Sequence, residues 1–232
     1  MDQPPRKPFL PRSAPLAAWS RAQALAMTAA LGACAWQRAA WPVATLAPPA
    51  FAGLLLLGRG AYTPRGRFGL ANLVTCSRLI ALLTLTLPAR VLPARIALTV
   101  ALSVLTLDLL DGWLARSSGD ASEFGAHFDM ETDAVLVLVV TLRLWLGHGY
   151  QPWVLVSGYL RYGYVLWLWG WPGSGREAPR TRLGRYAFAV LMLCLCTGLV
   201  LPGVAGCFAV AFGTLVVCLS FARSCYFSRL PS

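Results

Sequence analysis

Apolar residues run along the chain in eight long blocks, at about Ala14 to Trp36, Trp41 to Gly58, Gly69 to Pro88, Leu92 to Leu114, Ala126 to Leu146, Trp153 to Trp171, Tyr186 to Leu201 and Val204 to Phe221. Most approach the roughly 20 residues a helix needs to cross a hydrocarbon core about 30 Å thick. The pattern predicts an all-α integral membrane protein of about eight transmembrane helices with short connections. Residues 14–58 read as a transmembrane hairpin and residues 69–222 as a six-helix body. The Pro-rich residues 1–13 read as a disordered cytoplasmic terminus.

Composition strengthens this picture. With 57% hydrophobic residues, 12% charged and a mean hydropathy of +0.62, the 232 residues leave no room for a separate soluble domain. A cleaved signal peptide competes for the first block, where Leu31-Gly32-Ala33-Cys34 resembles a lipoprotein cleavage site, but the block is long and nothing secreted follows it. The net charge of +11 does not indicate nucleic acid, because the basic residues are scattered at block ends rather than gathered on one face.

The basic residues instead set an orientation. With a cytoplasmic N-terminus, thirteen of the twenty Lys and Arg fall on the cytoplasmic side: residues 6, 7, 12, 59, 65, 67, 116, 176, 180, 182, 185, 223 and 229. Arg38, Arg90, Arg95 and Arg143 fall on the other side, and Arg21, Arg78 and Arg161 within blocks. Trp41, Trp145, Trp153, Trp167, Trp169 and Trp171 lie near block ends, as interfacial aromatics do. Compact size suits a bacterial inner membrane. The seven cysteines, mostly inside apolar blocks and without C-x-x-C spacing, read as small buried hydrophobes.

The acids carry the candidate chemistry. Of nine Asp and Glu, seven lie between Asp108 and Asp133, leaving only Asp2 and Glu177 elsewhere. Asp108 and Asp111 sit at i and i+3 near the end of one block, Asp129 and Asp133 at i and i+4 near the start of the next, so each pair shares a helical face. A hairpin brings the two faces together just inside the cytoplasmic boundary, where uncompensated carboxylates are too costly to persist. Hard oxygen ligands with room for phosphate suit Mg²⁺ or Mn²⁺, and four carboxylates suffice for two such ions. Zinc fits poorly, with His127 the only nearby imidazole. Gly112, Ala115 and Gly125 permit close approach, and Arg116 can neutralise phosphate.

The run Asp108-Leu-Leu-Asp111-Gly112-Trp-Leu-Ala115-Arg116, then eight residues to Gly125, three to Asp129 and three to Asp133, resembles the signature of the CDP-alcohol phosphatidyltransferase family at every fixed position and spacing. Upstream, Asn72-Leu-Val-Thr75 followed by Arg78 resembles the segment that opens the family's first span; helix capping is the alternative for Asn72 and Thr75. The resemblance implies transfer of a phosphatidyl group from CDP-diacylglycerol to a small alcohol with release of CMP, using two divalent ions. It implies that Asp108 and Asp129 bridge the metals, Asp111 completes one site, and Asp133 completes the other and acts as general base. Asn72, Thr75, Gly112, Ala115, Arg116, Ser122 and Gly125 would line the CDP-lipid site.

Arg161, buried with no evident acidic partner, and Arg182 and Arg185 beside Arg180, would hold an acceptor phosphate. This favours glycerol 3-phosphate or an inositol phosphate without excluding an amino alcohol, and a homodimer stays open. His127 reads as an interfacial residue, and Glu131 and Asp120 as solvated or capping. The hairpin of residues 14–58 exceeds the family's usual six spans. Competing readings are an intramembrane prenyltransferase, whose aspartate motifs lie far apart, a cation transporter, and an inactive relative. The confinement of the acids to one hairpin at the membrane edge argues against the first two. The complete set of four signature aspartates argues against the third.

Overall fold

The computed structural model describes residues 14–117, 119–170, 182–201 and 203–228, with the side chains of residues 109, 111–113, 115, 116 and 182 outside that description. Each apolar block is a helix: α1 Ala14–Gln37, α2 Trp41–Leu57, α3 Leu70–Leu83, α4 Ala94–Ser117, α5 Glu123–Gly147, α6 Leu155–Gly170, α7 Arg182–Val200 and α8 Val204–Ser228. One-turn 3-10 segments extend α3 (Thr84–Thr86) and lead into α6 (Pro152–Val154). The described residues contain no strand.

Helix α5 starts before its apolar block because the chain caps it there. Ser122 Oγ accepts the Gly125 N–H at 2.9 Å, and Glu123 lies in the first turn, where the helix dipole favours a negative charge. From Ala134 to Trp145 every residue of α5 is buried, the mark of a helix surrounded by others. It packs against α3, α6 and α7; α4 leans on α3 and α7, and α8 closes on α7 and α6. Gly158 lets α6 approach closely, since a Cβ there would lie 2.9 Å from Leu138 Cα and meet Thr141 Oγ1.

Two helices are long and apolar enough to cross a membrane on their own account: Leu183–Val200 in α7 and Val204–Tyr226 in α8, with mean hydropathies of 1.9 and 2.3. The apolar segments Trp41–Leu57 and Leu70–Thr86 are shorter. On α8, Val204, Phe208, Phe212, Leu215 and Leu219 are all exposed, an apolar stripe that a soluble domain would bury. The cysteines follow the expected burial only in part: Cys34 and Cys196 are buried, whereas Cys207 is exposed.

At the end of α5 away from the acids, the buried Arg143 donates to the carbonyls of Leu85, Leu87 and Leu92. These carbonyls end the α3 segment and the loop after it, where helical partners run out. Nearby, the guanidinium of Arg38 stands 5.1 Å from the centre of the Trp145 ring. Replacing Arg143 with Met should destabilise the protein by about 3 kcal/mol, since it strips buried carbonyls of a charged donor. Thermal unfolding in detergent checks this, and an unchanged midpoint would show that the loop finds other partners.

Candidate functional site

The acidic residues of two helices meet beside a third. Asp129 and Asp133 project from one face of α5 and Asp108 from the second half of α4. The convergence expected of the two acidic faces is present at Asp108, Asp129 and Asp133, and α3 packs against both helices beside it. One carboxylate oxygen from each of Asp108, Asp129 and Asp133 can be chosen so that all lie within 4.8 Å of one another.

The positive charge at the centre is Arg78 of α3, which is wholly buried. Its Nη1 stands 2.9 Å from Asp129 Oδ1, and its Nη2 stands 3.0 Å from Asp108 Oδ1 and 2.6 Å from Asp133 Oδ1. An arginine fork satisfies carboxylates more fully than a point charge would, and here it offsets part of their repulsion. The three carboxylates keep 21–26% of their side-chain surface exposed, so the cluster opens toward solvent on the side away from Arg78. Three hard oxygen donors at this separation fit a divalent ion such as Mg²⁺ or Mn²⁺. Asp111 follows Asp108 by one turn of α4, but its side chain, like those of Ala115 and Arg116, lies outside the described residues, as does the surface of Gly112.

One turn before Asp129, a second group assembles around the carbonyl of Tyr62. It accepts from Ser122 Oγ at 2.6 Å and from Asn72 Nδ2 at 3.2 Å; Asn72 also donates to the Phe68 carbonyl. Tyr62 is fixed by its own hydroxyl, which donates to the Leu55 carbonyl at 2.7 Å, and by edge contacts with Phe68 and Phe124. A Cβ on Gly125 would stand 3.1 Å from Asn72 Oδ1 and 3.2 Å from Ser122 Oγ, which explains why glycine sits there. Thr75 is buried, with its hydroxyl donating to the Ala71 carbonyl. Asn72, Ser122 and Gly125 thus converge, while Asn72 and Ser122 spend much of their hydrogen bonding on the chain itself.

Three sequence expectations are overturned on the other side of α5. Glu131 is 2% exposed rather than solvated, and Arg161 has an acidic partner after all, with Nη2 standing 2.6 Å from Glu131 Oε1. His127 is buried, not interfacial, with Nε2 3.2 Å from Ser20 Oγ. Asp120 pairs with Arg65 at 3.5 Å. The missed signal is helical arithmetic: residues 127 and 131 are i, i+4 neighbours facing away from 129 and 133. Arg185 is exposed near the start of α7, the side chain of Arg182 lies outside the described residues, and Arg180 is itself outside them.

No solved structure matches the chain. The family model for CDP-alcohol phosphatidyltransferase does match it over residues 68–219, a segment that begins just before α3, ends within α8 and contains the whole aspartate cluster with Arg78. That span is well over half of the 232 residues, and it agrees with the position of the aspartate signature, so the chain belongs to the CDP-alcohol phosphatidyltransferase family.

Proposed function

We propose that the protein moves a phosphatidyl group from CDP-diacylglycerol to a small polar alcohol, releasing CMP, with two divalent ions held by Asp108, Asp111, Asp129 and Asp133. The observation that carries this reading is the convergence of Asp108, Asp129 and Asp133 beside the Asn72–Ser122–Gly125 group. The ions, when bound, lend positive charge to the pyrophosphate and to departing CMP. Asp133 accepts the proton of the acceptor hydroxyl as that oxygen attacks the phosphorus bearing the lipid, and the bond to CMP breaks.

Asn72 directs its amide N–H groups at backbone carbonyls, which leaves Oδ1 as an acceptor suited to the amino group of cytosine. Ser122 and Gly125 shape the same wall; Thr75, Gly112, Ala115 and Arg116 complete the donor site, the arginine against phosphate. In this reading Arg182 and Arg185, in the first turn of α7, bind an acceptor phosphate such as that of glycerol 3-phosphate. Arg161 joins them in this reading only by exchanging part of its bond to Glu131 for the phosphate. The active site faces the cytoplasm in a multi-pass protein of a bacterial inner membrane, and the hairpin α1–α2 adds two spans to the six of the family domain.

The test is CMP release from CDP-diacylglycerol by the purified protein in detergent with Mg²⁺ or Mn²⁺, across a panel of acceptors. Release that needs one acceptor and the metal establishes the activity and names the product. Bound metal without release for any acceptor would overturn the reading.

A further inference from the structure

The hairpin α1–α2 lies wholly outside the segment matched by the family model, yet its contact with the family domain includes buried polar groups. A helix added only for bulk in lipid would offer apolar residues to its neighbours. Helix α1 offers Leu16, Trp19, Met27 and Ala30, but among them it also turns Ser20 and Gln23 inward, at 3% and 2% exposure. Ser20 Oγ donates to Glu131 Oε1 at 3.4 Å and stands 3.2 Å from His127 Nε2, so with the proton on Nε2 the imidazole donates to the hydroxyl. The same Glu131 oxygen accepts from Arg161 of α6 at 2.6 Å. The Glu131 carboxylate of α5 is thus held from both α1 and α6.

The arrangement bears on the metal ligands because of the helix they share. Glu131 is two residues from both Asp129 and Asp133, which at 3.6 residues per turn places it about 200° around α5 from each. The face holding the aspartates is therefore set by what grips the opposite face. The grip extends beyond Ser20: the Trp19 ring lies edge-on to His127 at 5.8 Å and to Phe51 of α2 at 5.7 Å, its N–H donates to the Ala50 carbonyl, and Phe51 meets Phe128. At the start of α5 the loop after α2 adds the Tyr62 carbonyl that holds Ser122 and Asn72.

We infer that the N-terminal hairpin is a positioning element of the catalytic domain, and that Ser20, through Glu131 and His127, sets the rotation of α5 that presents Asp129 and Asp133 to the metal. Ser20 touches neither substrate nor metal and acts only through α5. The inference rests on the metal reading of the aspartate cluster, and its test includes a measurement that does not depend on turnover.

The full-length variants Ser20→Ala, Ser20→Thr and Glu131→Gln are compared with Thr28→Val, which removes the bond from another α1 hydroxyl to Tyr159 of α6 without touching α5. Mn²⁺ affinity is read by calorimetry, kcat and KM by CMP release, and folding by thermal unfolding in detergent. Ser20→Ala should weaken Mn²⁺ binding and lower kcat, each by about tenfold, as expected for loss of one hydrogen bond to a charged group. Glu131→Gln should act in the same direction, Ser20→Thr should restore both quantities, and Thr28→Val should move only the unfolding temperature. If Ser20→Ala and Thr28→Val both shift the unfolding temperature while Mn²⁺ affinity and kcat stay at wild-type values, the hairpin is a structural addition and the inference is overturned. If the wild-type protein binds Mn²⁺ but releases no CMP, the proposed reaction fails, and the Mn²⁺ affinities of the variants alone decide the role of Ser20.

Discussion

Asp133→Asn is expected to lower the rate of CMP release by about 10²- to 10⁴-fold, the usual worth of a general base. The amide has almost the shape of the carboxylate, and its oxygen still accepts from Arg78 Nη2, which stands 2.6 Å away in the parent protein. The fold should therefore survive, and the loss should persist at saturating metal. Asp129→Asn gives the contrast. It removes a ligand charge without removing the base, so extra Mn²⁺ should recover much of its activity. A metal titration of CMP release for the two variants separates these roles; an Asp133→Asn enzyme within threefold of wild type would mean that another group takes the proton.

Arg78→Met should destabilise the metal-free protein by about 3 kcal/mol, near the lower end of the cost of removing one partner from a buried ion pair. Arg78 is wholly buried, whereas its three carboxylate partners retain some contact with solvent, which tempers the cost. Without its guanidinium the carboxylates repel one another inside the bundle, and α3 loses its link to α4 and α5. A divalent ion can replace that charge. Added Mn²⁺ should therefore raise the unfolding temperature of Arg78→Met more than that of the wild type. If the two proteins unfold at the same temperature without metal, Arg78 is not the charge that holds the cluster together.

How far the sequence carried the reading differs from feature to feature. The helices were legible because each apolar block is long and bounded by Gly, Pro or charge; α1 and α2 end within one residue of the expected blocks. The onset of α5 was less so, since Ser122 and Glu123 extend it by a cap that hydropathy does not register. The aspartates were legible because spacing at i, i+3 and i, i+4 is a property of one helix. Arg78 was visible as a residue of the α3 segment but not as the centre of the site, because its role depends on where α3 lies relative to α4 and α5.

The residues between the aspartates teach the same lesson in reverse. His127 and Glu131 lay within the acidic stretch and read as interfacial or solvated, because residues at a predicted membrane edge ordinarily find water. Helix α1 excludes that water, and Arg161 supplies the counter-charge that makes a buried Glu131 tolerable.

By itself, the sequence determined what is local: the helical blocks, the identity and spacing of the clustered aspartates, and the match to the family. Periodicity and spacing act within a few turns of one chain segment. The tertiary structure decided which helices share a face, and with it that Arg78 sits among the aspartates, that Tyr62 ties Asn72 to Ser122, and that α1 backs the helix carrying Asp129 and Asp133. These pairings join residues 10 to 111 positions apart, and only packing selects among the partners available over such separations.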